Sequence, residues 1–144
     1  MREHGESLLE LVIAIALMGV AIVAVMAGLT TTVLMSDTQR KEATAVTTVR
    51  NYAEALQNYV ADGHYVACAT SYVVPGFAVP EGFTAKVVGG SVQYWTGALW
   101  LPLCLPDRGL QRVRVLVSST DGRASETLEV VLRKPCRVGD SPCT

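Results

Sequence analysis

The chain has 144 residues, enough for one modest domain beside one special segment and too few for a second full domain. Charged residues make up 17% and hydrophobic ones 50%, with a mean hydropathy of +0.33, so part of the chain is built to leave water. The net charge of −1 gives no electrostatic reason to expect nucleic acid as the main partner, and no specific nucleic-acid partner is expected.

The apolar excess lies at the start. No charged residue occurs from Leu11 to Ser36, and Leu11 to Leu29 is almost unbroken Val, Ile, Ala, Leu, Met and Gly. That meets the requirement of roughly 20 apolar residues for a membrane-crossing helix. A cleaved secretory signal has an apolar core of only about 7–15 residues, so the run is too long for one. Arg2 and the initiator amine precede it, which by the positive-inside rule favours a cytoplasmic N-terminus and a single pass.

Glu10 lies two apolar residues deep, between Leu8-Leu9 and Leu11-Val12-Ile13. Insertion scales put an acidic residue at the centre of a membrane helix at a cost of about 2.5–3.5 kcal/mol, and less near its end. Two readings follow. Glu10 snorkels to the interface, or it has a cationic partner.

The string Gly5-Glu6-Ser7-Leu8-Leu9-Glu10 resembles the prepilin peptidase recognition motif of type IV pilins and type II secretion pseudopilins. Gly5, Ser7, Leu8, Leu9 and Glu10 match it; Glu6 stands where the family usually has Phe. Gly19 also falls where many members have a glycine. The resemblance covers about the first thirty residues closely and the remainder only in architecture. It implies a leader at 1–5, cleavage between Gly5 and Glu6 by a prepilin peptidase, N-methylation at Glu6, and a filament-core helix over 6–36. It also implies an extracytoplasmic head over 37–144, and assembly through Glu10. The implied partners are that peptidase, other pilin subunits, a pilus assembly platform and the membrane. Glu6 would add a second carboxylate to the filament core, which suits a minor subunit better than the major one. The alternative is a single-pass, membrane-tethered binding module that does not polymerise.

Beyond the apolar run, Asp37 to Asp62 is rich in Ala, Arg, Lys, Glu and Gln, and no Pro occurs before Pro75. Val46, Val49, Ala53, Leu56 and Val60 fall three and four apart on one stripe, widened by Tyr52 and Tyr59. Asp62-Gly63 is a C-terminal stop. Unbroken from Ser7, such a helix would span roughly 80 Å at 1.5 Å per residue. Gly19, Gly28 and Thr30-Thr31-Thr32 are places where it could bend.

His64 to Gly82, with Pro75, Gly76, Pro80 and Gly82, reads as an irregular connection. Phe83 to Val88 and Ser91 to Thr96 flank Gly89-Gly90, as a hairpin or as one bulged strand. A second hairpin, Gln111 to Thr120 with Arg123 to Arg133, turns at Asp121-Gly122. Counting outward from that turn puts Val115 opposite Leu128, Val113 opposite Val130 and Arg114 opposite Glu129. The fold class expected is α+β, a long helix packed on a small antiparallel sheet.

Cys68, Cys104, Cys136 and Cys143 all follow the membrane segment. An even count in an exported domain implies disulfides, with three connectivities open to four cysteines. Cys68 with Cys104 would pin the irregular connection, and Cys136 with Cys143 would close a short loop around Pro142. Zinc is the rival reading, but paired C-x-x-C spacing and clustered His are missing from the sequence. His4 and His64 stand alone, and Trp95 and Trp100 bracket a turn at Gly97 as packing residues or a surface pair. No nucleophile constellation or phosphate loop is visible, so neither enzyme activity nor a cofactor is expected. From Arg108 onward there are seven basic residues against four acidic ones, read as a solvated sheet face and tail, with an anion-binding surface as the weaker reading.

Overall fold

The computed structural model describes residues 8–105 and 107–136. With no proline to interrupt it, the N-terminal sequence forms one helix, α1 (Leu8–Tyr59), followed by a π-helical turn at Val60–His64. Gly63 ends it at φ 104°, a left-handed conformation that costs glycine nothing. The glycines at 19 and 28 and the threonine run do not interrupt the helix. Thr30, Thr31 and Thr32 donate their hydroxyls to the carbonyls of Met26, Ala27 and Gly28 at 2.7, 3.0 and 2.9 Å, so these polar groups are satisfied inside the apolar stretch.

Contacts divide the chain into two compact units, Met1–Gln39 and Arg40–Thr144. In the first, every described residue from Leu8 to Ser36 is exposed. In the second, Ala45, Thr48, Val49, Tyr52, Ala53, Leu56 and Val60 are buried. This is the expected stripe with one shift, because Ala45 is buried where Val46 is only half-buried. Tyr52 meets the ring of Phe77 edge-on at 5.0 Å, so the irregular connection packs on the helix.

The stripe is covered by a five-stranded antiparallel sheet of β1 (Phe83–Val87), β2 (Gln93–Trp95), β3 (Trp100–Leu101), β4 (Leu110–Ser119) and β5 (Ser125–Arg133). Alternation along β4 turns Gln111, Val113, Val115, Val117 and Ser119 into the core, joined by Val130 and Leu132 of β5. The register of β4 on β5 pairs Val115 with Leu128, Val113 with Val130 and Arg114 with Glu129, as the count from the Asp121-Gly122 turn requires.

Phe83 to Val88 and Ser91 to Thr96 do not pair with each other. Both lie along the same edge of β4, β1 against Val115–Ser119 and β2 against Gln111 and Arg112, as one interrupted strand. From Val87 to Gln93 the chain takes six steps while its partner takes three, from Val115 to Arg112. The surplus is the loop at Gly89-Gly90. The ladder is bridged there by Val88 N–H to Arg114 O at 2.8 Å and by Arg114 N–H to the Ser91 hydroxyl at 3.1 Å. A side chain thus replaces the missing backbone acceptor. The true short hairpin is β2 with β3, closed by Thr96 N–H to Leu99 O at 3.0 Å.

Candidate functional site

The first turns of α1 carry the residues singled out for assembly. Glu10 sits in the first turn, and Leu8, Leu9 and Leu11 beside it are exposed. Gly5 and Glu6, the expected cleavage pair, lie outside the described residues. A stretch of α1 with mean hydropathy 2.8 and no buried residue is long and apolar enough to cross a membrane.

In the second unit Cys68 and Cys104 are disulfide-bonded, with Cα atoms 5.6 Å apart. Cys136 is also disulfide-bonded; its expected partner, Cys143, lies outside the described residues. Cys68 has φ 57°, rare for a non-glycine residue. Two constraints hold it there, the disulfide and its N–H donated to Asp107 Oδ2 at 3.0 Å.

Asp107 is the hub of a polar network that composition and spacing did not reveal. Its carboxylate accepts from the Tyr65 hydroxyl at 2.7 Å, from Gln111 Nε2 at 2.6 Å and from the amides of Cys68 and Gly109 at 3.0 and 2.8 Å. Gln111, fully buried, also donates to Val66 O at 2.9 Å and accepts from the Tyr72 hydroxyl at 2.8 Å. Burial works to raise the Asp107 pKa, but the four hydrogen bonds outweigh it and hold the carboxyl below its usual value. Tyr65 is pushed upward by burial first and then by its bond to that carboxylate. The network ties the connection after α1 to the start of β4. The bonds that cross from that connection to Asp107 and Gln111 join residues 39 to 45 apart in sequence, so no local pattern announces them.

At the opposite end of β4, Lys41 Nζ contacts Asp121 Oδ2 at 2.5 Å. Hydrogen bonds from Lys41, from Ser119 and from the Arg123 amide keep Asp121 well below the usual carboxylate range. On the sheet face turned away from α1, Glu129 pairs with Arg114 at 3.3 Å and Arg112 at 3.5 Å. The Arg112 guanidinium lies 5.2 Å from the Trp100 ring and also binds Gln93 Oε1. Trp95 and Trp100 are a cross-strand pair with ring centroids 5.2 Å apart. His64 is exposed, stacks on Tyr59 at 4.1 Å and binds Tyr59 O through Nδ1 at 2.9 Å.

Among the described residues no group of three or more His, Cys, Asp or Glu side chains is placed to hold a metal ion. What the described residues combine is an exposed apolar helix with a carboxylate in its first turn, and a disulfide-bonded α+β unit with its own core. No family model, curated protein or solved structure matches the chain.

Proposed function

We propose that this chain is a structural subunit, a minor one, of a type IV pilus or type II secretion-like pseudopilus. A prepilin peptidase removes the leader after Gly5 at the cytoplasmic face, and the subunit polymerises through its N-terminal helix into a filament outside the membrane. The observation that carries the reading is the string Gly5 to Glu10 running directly into an apolar helix that buries nothing. The disulfide Cys68–Cys104 supports export to an oxidising compartment.

The chemistry of assembly follows from two charges. Cleavage leaves a new amine at Glu6, a cation at the membrane edge, and Glu10 of a subunit already in the filament pairs with it. Each charge removes the other's desolvation penalty, and the net gain is on the order of a few kcal/mol. Apolar contacts along Leu11 to Leu29 supply adhesion but little axial register, because hydrocarbon-like faces pack in many ways.

Processing is tested by the N-terminal mass of the protein from its native host. A mass starting at Glu6, methylated or not, is expected, and a protein retaining Met1 to Gly5 refutes the reading. Polymerisation is tested separately with Glu10→Leu. That variant should still insert and be cleaved, yet be depleted in sheared filaments relative to the membrane fraction. Equal incorporation would mean that Glu10 only snorkels and does not set the register; absence of the wild-type chain from sheared filaments would make it a membrane-tethered module.

A further inference from the structure

The head has two distinct ends. At one, Lys41 meets Asp121, close to Arg40, where the chain passes from the first unit into the second. At the other, Tyr65 and Val66 meet Asp107 and Gln111, and the segment Gly97–Leu105 belongs to this remote end through β2, which pairs with Gln111 and Arg112. No charged residue occurs between Lys86 and Asp107. Leu99, Leu103 and Leu105 are 62%, 66% and 50% exposed. The segment is held rigidly for a loop. Trp100 pairs with Trp95 on the neighbouring strand, Cys104 is bridged to Cys68, and the Arg108 side chain packs so closely over Gly97 that a Cβ there would lie 2.7 Å from it.

Three leucines held in water by a braced loop are costly to leave uncovered. The charges around them indicate the cover. Arg108, Arg133 and Lys134 gather at this end: Arg108 over Gly97, Arg133 opposite Leu110, and Lys134 donating its amide to Gly109 O. None of the three has an ion-pair partner among the described residues. Asp107 is spent on its four donors, and among the described residues Asp62, on the turn closing the helix, is the acidic group left at this end. Exposed leucines and an indole pair beside unpaired cations are the combination that holds a protein to an anionic lipid surface.

We propose that the segment Gly97–Leu105, rimmed by Arg108, Arg133 and Lys134, docks the head onto an anionic phospholipid surface. The loop lies at the end of the head opposite Lys41 and Asp121, and the surface proposed for it is that of a second membrane. The inference does not depend on polymerisation. It is tested with the full chain reconstituted into neutral phosphatidylcholine vesicles, which are then offered fluorescent target vesicles without chain. Targets containing about 30% phosphatidylserine should be captured roughly tenfold more than pure phosphatidylcholine targets. Leu99→Ser with Leu103→Ser and Leu105→Ser should remove the difference. Arg133→Glu with Lys134→Glu should lower capture about tenfold, with salt sensitivity falling in parallel. Because all these side chains lie at the surface, near-ultraviolet circular dichroism should match wild type. Equal capture of neutral and anionic targets, or undiminished capture by the triple-serine variant, overturns the proposal. So does clustering of chain-bearing vesicles with one another without targets, which assigns the loop to a second copy.

Discussion

The two halves of α1 are both helical, yet they are specified in different ways. From Leu11 to Met35 apolar residues occupy every direction around the axis, and Leu17 and Val23 are 66% and 68% exposed. From Ala45 to Val60 the apolar residues form one stripe, on which Ala45 and Leu56 are fully buried while Arg50, Glu54 and Gln57 face water. An all-round apolar helix asks for a solvent that is itself apolar; a striped one asks for a partner from its own chain. The same backbone geometry therefore serves two environments, and only the periodicity distinguishes them.

The sharpest way to break that distinction is truncation in each half. Leu56→Ala should cost the head about 2–5 kcal/mol, because the side chain is fully enclosed by the core. Leu17→Ala should leave head unfolding unchanged and weaken only membrane retention. Head unfolding is read by thermal melting of the full chain in detergent micelles and retention by the membrane-bound fraction, and a head melting shift from Leu17→Ala would show that the first half is not independent. Next in size is the disulfide. Cys68 and Cys104 are separated by 36 residues, and opening a loop of that order should cost about 2–4 kcal/mol. Reduction should therefore lower the melting temperature of the head and leave the helicity of the first half of α1 intact.

Asp107 gives the same comparison a pH axis. Its carboxyl and that of Asp121 are held below their usual value of 3.8. The stability they add is complete above that value and is lost as pH falls through their lower folded values. Tyr65, Tyr72 and Tyr94 are raised above their usual 10.0, so their contribution is complete below pH 10.0 and is lost as pH climbs beyond it. The head should melt at constant temperature across neutral pH and lose stability below about pH 4. Asp107→Asn should cost about 1–3 kcal/mol at neutral pH, since an amide cannot accept from all four donors, and should flatten the acid limb. An unchanged acid limb in that variant would remove Asp107 from the account.

How much of this was legible depended on whether the determining contact was local. The β4–β5 register could be counted from Asp121-Gly122 because the turn and the alternation of Val113, Val115 and Val117 agree. Gly89-Gly90 carried an equally good turn signal, and of the two readings it left open, hairpin or bulged strand, the second is the one that forms. The ten-residue β4 offers an edge long enough for β1 and β2 in succession, and the Ser91 hydroxyl repairs the break. The helix stripe shifted from Val46 to Ala45 because hydropathy ranks Val first, whereas close approach of helix to sheet favours a small side chain. The Asp107 network was invisible because Tyr65, Val66, Cys68 and Tyr72 reach Asp107 and Gln111 only after folding.

The smallest predicted effect concerns the open sheet face and uses geometry that pairwise register alone does not supply. Arg114 lies opposite Glu129 with the two side chains about half exposed, so Arg114→Glu should cost only a few tenths to about 1 kcal/mol. In an isolated pair, adding Glu129→Arg would restore nearly all of that. Here Glu129 also binds Arg112 at 3.5 Å, and Arg112 is itself held by Gln93 and the Trp100 ring, so it is not free to swing away. The double reversal rebuilds one ion pair and turns the other into a like-charge contact. We expect it to recover about half of the loss in low salt, and the remaining deficit to vanish at about 1 M salt, where screening acts within roughly 3 Å. Thermal unfolding of wild type, the two single variants and the double variant at both salt concentrations measures the coupling directly. Full recovery in low salt would mean that Arg112 contributes nothing to the pair. No recovery would mean that the Arg114–Glu129 contact is one of proximity without energy.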